Sequence, residues 1–214
     1  GAAIGGGGLL LGLLVFFLTG NPLAALNVGL GGGGGGQVTQ ESVELTQDEQ
    51  DKFDYASVVL KDTEDAWNEI LAEYGYDYRP AKMVVYQDAV ETGCGVGQSG
   101  MGPFYCSVDE TIYMDLSFYD ELINKFGADE GDFILAYVIS HEVAHHVQNV
   151  TGVLGEVNNR RSRASQTEAN EWTVRLDLQA DYLAGVVARY QDDKGYLEAG
   201  DIDEAISAAW AIGD

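Results

Sequence analysis

The stretch FILAYVISHEVAHHVQNV, Phe133 to Val150, is the part of the sequence on which the interpretation of this chain depends. Asp132 can cap its start and Thr151-Gly152 can stop it, so the stretch is expected to form one helix. Most of its residues are apolar, which predicts a helix buried in the core. Polar side chains in the middle of such a helix are costly unless a partner satisfies them.

Two histidines and a glutamate interrupt this apolar run, at His141, Glu142 and His145. Positions four apart on a helix differ by about 40° around its axis, so both imidazoles can reach one ion. Glu142 lies near the same edge, where it can take a proton from a metal-bound water. The spacing therefore predicts one Zn²⁺ ion with a general base beside it. A chance match on a surface helix is the alternative, and the apolar flanks argue against it.

A third metal ligand is harder to identify from the sequence. The remaining histidine, His146, points about 100° away from His145 around the helix, so it is interpreted as a polar residue, or one that supports a ligand, and not as a ligand itself. The third ligand must then be a carboxylate or lie outside this chain. A second long helix, predicted from about Ser165 to Tyr190, carries Asp177 and Asp181 on one face, between apolar neighbours. Two solvated acids are the alternative in a chain with 35 acidic residues.

The chain is strongly acidic, and it is long enough for one folded domain with an appendage. It has 214 residues, of which 46% are hydrophobic, and a formal net charge of -24. A surface this negative repels phosphate backbones, which argues against nucleic acid as a partner. The only basic cluster in the sequence, Arg160, Arg161 and Arg163, is expected on a solvated loop.

An uncharged segment opens the chain: its first forty residues carry no charge, and Leu9–Leu18 is a dense apolar run. A signal-peptide core needs about 7–15 apolar residues and a spanning helix about 20, so the segment is compatible with both. Because no clear cleavage site follows, residues 1–30 are predicted to be a membrane anchor, with a signal peptide as the alternative. Residues 31–45 are predicted to be a glycine-rich linker to a domain outside the cytoplasm, periplasmic or extracellular. With a signal peptide, the protein would be secreted.

The two cysteines, Cys94 and Cys106, lie in a glycine-rich segment. An exported domain lies in a compartment that permits disulfides, so the two are expected to be bridged, with two free thiols as the alternative.

The order of predicted elements indicates the fold class. A capping box at Thr46–Glu49 opens a first helix. Short strands are predicted at Lys82–Tyr86, Phe104–Cys106 and Thr111–Asp115, separated by a glycine-rich loop, and helices follow. A helix, a small sheet and then further helices predict an α+β domain over residues 46–214.

Several blocks of this sequence resemble the putative neutral zinc metallopeptidases of bacteria. They are HEVAHHVQ at His141–Gln148, RLDLQADYLAG at Arg175–Gly185, GMGPFYC at Gly100–Cys106, DTEDAW at Asp62–Trp67, TIYMDLSF from Thr111, and GDIDEAISAAWAIGD at Gly200–Asp214. The resemblance covers nearly the whole chain, including the hydrophobic N-terminal segment. It implies a compact, gluzincin-like α+β domain with a small β-sheet, a pair of metal-bearing helices and a peptide or protein substrate.

The resemblance also implies roles for individual residues. Zinc is expected on His141 and His145, with Glu142 catalytic. The Glu-x-x-x-Asp pattern of the family falls on Asp177 and Asp181, so Asp177, one methylene shorter, is expected to be the third ligand. Asp181 lies one helical turn away, about 6 Å along the axis, and is expected to hold the other nitrogen of a histidine. Exchanged roles for the two aspartates are the alternative.

The sequence therefore predicts zinc-dependent hydrolysis of peptide bonds by a metal-bound water, with Glu142 as general base. A membrane-tethered interaction module with a structural metal is one alternative, although such a site needs no general base and prefers four protein ligands. A metallohydrolase of a non-peptide amide is another. The family continues past the equivalent of Asp214 into a segment with a histidine, so the domain is expected to be truncated there and to lack a stabiliser of the transition state.

Overall fold

The computed structural model describes residues 45–125, 127 and 131–212. The predicted anchor over residues 1–30 and the predicted linker, apart from residue 45, lie outside this range. Within it, every helix is too short or too polar to cross a bilayer. The anchor and the location outside the cytoplasm stay predictions.

Helix α1, Gln47–Glu73, starts at the predicted capping box. The side chain of Thr46 accepts a hydrogen bond from the backbone N–H of Glu49, and the carboxylate of Glu49 accepts from the backbone N–H of Thr46 at 2.8 Å. This reciprocal pair satisfies two of the donors that a helix start leaves open. The helix buries one apolar face against the core, made of Ala56, Val59, Ala66, Trp67 and Leu71.

Five short strands follow, arranged in two separate sheets. They are β1 (Lys82–Val85), β2 (Ala89–Thr92), β3 (Gly95–Gln98), β4 (Phe104–Cys106) and β5 (Thr111–Met114). In the larger sheet, β5 lies in the centre, parallel to β1 on one side and antiparallel to β4 on the other. Strands β2 and β3 form an antiparallel hairpin of their own.

The glycine-rich stretch that was expected to be a loop is only partly one. It contains β3 and a short 3-10 turn, Ser99–Met101. The glycines allow a close approach rather than flexibility, because a Cβ added at Gly97 would lie 2.5 Å from the ring of Phe104. The predicted disulfide is confirmed: Cys94 and Cys106 are bonded, with an S–S distance of 2.06 Å, and join the turn of this hairpin to the end of β4.

The second half of the chain is helical. Its elements are α2 (Ser117–Asn124), α3 (Phe133–Val150), α4 (Val153–Arg161), α5 (Gln166–Asp193) and α6 (Asp201–Ile212). Helix α3 is the stretch that the sequence singled out, and it packs against α1, α5, α6 and β4. The α+β class is thereby confirmed, with α3 at the centre of the core.

Helix α4 corrects the prediction of a solvated loop after α3. Gly152 adopts a left-handed conformation, with φ of 83°, which lets the chain turn and start a new helix at once. Helix α4 then packs against both α3 and α5. Helix α5 starts at a second capping box, formed by Ser165 and Glu168.

Candidate metal centre

Helix α3 brings the polar residues of the predicted site into the core. Each residue from Phe133 to Gln148 is buried. The exposed fractions of His141, Glu142 and His145 are 9%, 5% and 1%. Polar groups so deeply buried are tolerated only where hydrogen bonds or a metal satisfy them.

The imidazoles of His141 and His145 meet edge to face, with their Nε2 atoms 3.2 Å apart. The Nδ1 atom of His141 lies 2.7 Å from Oδ1 of Asp181, and that of His145 lies 2.9 Å from Oε1 of Gln148. Both oxygens are acceptors, so each Nδ1 carries a hydrogen and donates it. In the neutral rings, each Nε2 then carries a lone pair and no hydrogen.

The orientation of Gln148 follows from its other contacts. Its Nε2 donates to the carbonyl oxygen of Leu176 at 2.8 Å and to Oε1 of Gln179 at 3.0 Å, which leaves Oε1 to accept from His145. Burial, and after it the charge of His141, lowers the pKa of His145 to about 3. The ring of His145 is therefore neutral near pH 7, with Nε2 unprotonated.

Asp177 of α5 completes the group. One of its carboxylate oxygens lies 3.8 Å from Nε2 of His145. One ligand atom from each of His141, His145 and Asp177 can be chosen so that all three lie within 4.8 Å of one another. The structure thus brings together the three residues predicted as ligands.

The donor set fits a zinc ion. Tetrahedral zinc, with Zn–N distances of about 2.0–2.1 Å, holds two imidazole nitrogens about 3.3 Å apart, close to the separation observed here. Two unprotonated ring nitrogens 3.2 Å apart repel each other, and a cation bound to both removes that repulsion. Two imidazoles and a carboxylate are also a set that zinc prefers in catalytic sites.

Asp181 lies behind the ring of His141, on the side away from the two facing Nε2 atoms. Its Oδ1 accepts from Nδ1 of His141 and, at 2.6 Å, from the hydroxyl of Tyr137. Burial raises the pKa of Asp181, but the hydrogen bond and charge of His141, together with the hydroxyl of Tyr137, outweigh it and leave the pKa lowered. An ionised carboxylate in this place fixes both the orientation of the ring and the position of its hydrogen.

His146 has a different environment from the other two histidines. Its Nε2 donates to the backbone carbonyl of Arg79 at 2.5 Å, and its Nδ1 lies 2.9 Å from the hydroxyl of Tyr105, on β4. Both ring nitrogens are thus engaged on the side of the β-sheet. This placement agrees with the expectation that His146 is a polar residue and not a ligand.

A second group of acidic side chains has a structural explanation. Carboxylate oxygens of Asp132, Asp201 and Glu204 come within 4.8 Å of one another. Asp201, the first residue of α6, accepts from the backbone N–H of Glu198, three residues before it, and Glu204 accepts from that of Phe133 at the start of α3. Acidic side chains at helix starts are stabilised by the open N–H groups there.

Two residues near the site were not identified from the sequence. Tyr137 lies four positions before His141 and Gln148 three positions after His145, spacings that place side chains next to each other on a helix. That spacing is the only signal that could have identified them. Arg161 was expected on a solvated loop, but it ends α4 with an exposed fraction of 8%.

Comparison with known proteins identifies one family model and several relatives. A family model described as "Putative neutral zinc metallopeptidase" matches residues 1–214. "Uncharacterized protein YpfJ" of Escherichia coli (strain K12) is 48% identical over 178 residues, which are 83% of this chain and 61% of that protein. "Uncharacterized protein Rv2575" of Mycobacterium tuberculosis (strain ATCC 25618 / H37Rv) is 43% identical over 158 residues, 69% of this chain and 51% of that protein.

The chain thus spans about three fifths of the first relative and about half of the second. No solved structure matches it. The family match covers all 214 residues, and its description names the metal for which the two imidazoles and the carboxylate are suited. The chain belongs to the putative neutral zinc metallopeptidase family.

Proposed function

We propose that this chain hydrolyses peptide bonds, with zinc held by His141, His145 and Asp177 in a gluzincin-like arrangement. The observation that supports this most strongly is the pair of buried Nε2 atoms 3.2 Å apart, with the Asp177 carboxylate beside them. Membership of the family supports zinc as the metal and a peptide or protein as the substrate. When bound, zinc would polarise the scissile carbonyl and lower the pKa of a water to about 7.

Glu142 is the general base in this proposal. It follows His141 directly on α3, and both residues are buried, so its carboxylate lies in a low-dielectric part of the site. It takes a proton from the attacking water and can return it to the leaving amine. Asp181, Tyr137 and Gln148 keep the hydrogen of each histidine on Nδ1, so Nε2 stays available as a ligand.

The test is the variant Glu142→Gln, measured for zinc content and for cleavage of unfolded casein. Because Glu142 handles a proton and does not hold the metal, the variant should bind zinc as the unchanged chain does. It should lose most of its activity, by roughly 100-fold or more. Glu73→Gln, on the exposed end of α1, is the matched control and should cleave normally.

The other outcomes separate the alternatives. Unchanged cleavage by Glu142→Gln protein would contradict the mechanism. Zinc binding without cleavage of casein by the unchanged chain would favour a structural metal in an interaction module. Cleavage that continues after a chelator has removed the metal would exclude zinc from the reaction.

A further inference from the structure

Gln148 is a polar side chain buried between α3 and α5, with an exposed fraction of 1%. On α3, its Oε1 accepts from Nδ1 of His145 at 2.9 Å. On α5, its Nε2 donates to the carbonyl oxygen of Leu176 at 2.8 Å and to Oε1 of Gln179 at 3.0 Å. An amide group has two N–H donors, so both are used. The side chain therefore connects a proposed zinc ligand on α3 with the backbone of α5.

The contacts that Gln148 makes on α5 lie next to Asp177. Leu176 directly precedes Asp177, and Gln179 follows it by two residues. A helix turns by about 100° per residue, so Leu176 and Gln179 lie about 100° and 160° from Asp177 around the axis, on the same side. Hydrogen bonds at these two positions hold the turn of the helix from which Asp177 projects.

A second set of polar contacts holds α5 from the opposite side. Asp181 lies about 40° from Asp177 around the axis, in the other direction. Its Oδ1 accepts from Nδ1 of His141 at 2.7 Å and from the hydroxyl of Tyr137 at 2.6 Å. Asp177 thus lies between two sets of hydrogen bonds to α3, and α5 cannot turn about its axis without straining one of them.

The rotation of α5 matters because a metal site tolerates little displacement of its ligands. A side-chain atom about 5 Å from a helix axis moves by about 0.9 Å when the helix turns by about 10°. Ligand distances in metal sites deviate by only about 0.2 Å from their usual values. One carboxylate oxygen of Asp177 lies 3.8 Å from Nε2 of His145, close enough for both atoms to hold one ion. A small turn of α5 would end that arrangement.

Apolar packing alone does not fix this rotation. The hydrophobic effect is non-directional, whereas a hydrogen bond depends on both distance and angle. The buried residues of α5 include three alanines, at positions 180, 184 and 188, whose small side chains offer little resistance to a turn of the helix. The directional contacts of Gln148 supply the constraint that these side chains do not.

We propose that Gln148 is a positioning residue for Asp177: its contacts with α5 fix the rotation that directs this carboxylate at the two imidazoles. The role is separate from the orientation of the His145 ring, because it depends on Nε2 of the amide and not on Oε1. The inference rests on the proposed function, which assigns Asp177 as a zinc ligand. Gln148 itself does not touch the metal.

A double-mutant cycle tests the proposal, with zinc affinity of the full chain measured by competition with a chromogenic chelator. Gln148→Met keeps the volume, removes the hydrogen bonds and should lower the affinity by about 10- to 100-fold. In an Asp177→Ala chain the same substitution should cost at least about threefold less, because residues that act together are not additive. Gln166→Met, which replaces an exposed glutamine at the start of α5, is the matched control and should bind zinc normally.

A second variant, Gln148→Glu, separates the two ends of the side chain. It keeps the size and the acceptor for Nδ1 of His145, but its carboxylate turns an oxygen towards the carbonyl of Leu176, which repels it. The zinc affinity should therefore fall. A role limited to His145 predicts the reverse, because a carboxylate partner strengthens an imidazole ligand. The visible absorption spectrum of cobalt-loaded Gln148→Met should also shift towards that of cobalt-loaded Asp177→Ala, which a general loss of stability would not produce.

The contrary results are distinct from one another. Additive losses of affinity in the cycle overturn this inference and leave the zinc site of the proposed function standing. Full zinc affinity in Gln148→Glu overturns it as well, even if Gln148→Met does not fold. Unaltered zinc affinity in Asp177→Ala overturns the proposed set of ligands and this inference with it.

Discussion

Each histidine of the candidate site has two ring nitrogens, and the contact at Nδ1 decides which one is left for a metal. Asp181 accepts from Nδ1 of His141, and Gln148 accepts from Nδ1 of His145. The hydroxyl of Tyr137 holds the same oxygen of Asp181, at 2.6 Å. Three residues that do not face the metal cluster thus determine how its two imidazoles are presented.

Asp181→Asn should therefore weaken zinc binding although Asp181 is not proposed as a ligand. An uncharged amide holds the ring of His141 less firmly than a carboxylate, and loss of such a partner costs about 10- to 100-fold in metal affinity. Competition with a chromogenic chelator measures the change. Asp77→Asn, on the exposed segment after α1, is the control and should bind zinc normally. Unaltered affinity in Asp181→Asn would show that Asp181 does not orient the ligand.

His145 should make the metal-free chain sensitive to acid. The pKa of His145 is about 3 in the folded state and about 6.5 in the unfolded state. Below pH 6.5 the unfolded state therefore binds a proton at His145 that the folded state does not bind. The free energy of unfolding should therefore fall as the pH decreases from 7 towards 5. Urea unfolding of the metal-free chain and of His145→Asn at each pH isolates this contribution. Identical pH dependence in the two proteins would contradict it.

The residues of the site differ in how far the sequence could predict them. His141, Glu142 and His145 follow from helical spacing alone, because their relation is local. Tyr137 and Gln148 look like ordinary helix residues, since their roles depend on where α5 lies. Arg161 was misplaced for the same reason: its burial results from the packing of α4 against α5, which no local pattern encodes.

The secondary structure elements show the same division between local and tertiary causes. Helix α1 was predicted from a capping box, which is formed within four consecutive residues, and the structure shows a second such box at the start of α5. Helix α4 was missed because its sequence, VLGEVNNRR, is polar and has no clear apolar period. Strand β3 was missed because its glycines are unfavourable in strands, and only the packing of Gly97 under Phe104 explains them.

The disulfide should stabilise the domain by holding the β2–β3 hairpin against β4. Cys94 and Cys106 are 12 residues apart, and closing a loop of this size contributes about 3 kcal/mol in the chain-entropy model. Replacing both cysteines by serine should reduce the free energy of unfolding by about that amount. Denaturant unfolding measures it, with the reduced unchanged chain as a second comparison. A change well below 1 kcal/mol would show that the bridge constrains the chain little.

The whole domain is arranged around α3. Helices α1, α5 and α6 and strand β4 pack against it, so the most buried helix is also the one that carries both histidines. The carboxylates come from α5, more than thirty residues further along the chain. Local sequence identifies each helix, but only the assembled core decides that Asp177 faces the two imidazoles while Asp181 lies behind one of them.

The central claim is that zinc binds between α3 and α5, and a crystal structure of the zinc-loaded chain tests it most directly. Anomalous diffraction on both sides of the zinc absorption edge locates the ion independently of the protein atoms. We predict one peak about 2.0–2.2 Å from Nε2 of His141, Nε2 of His145 and a carboxylate oxygen of Asp177. A peak held by Asp181 in place of Asp177, or none at the two histidines, would contradict the account.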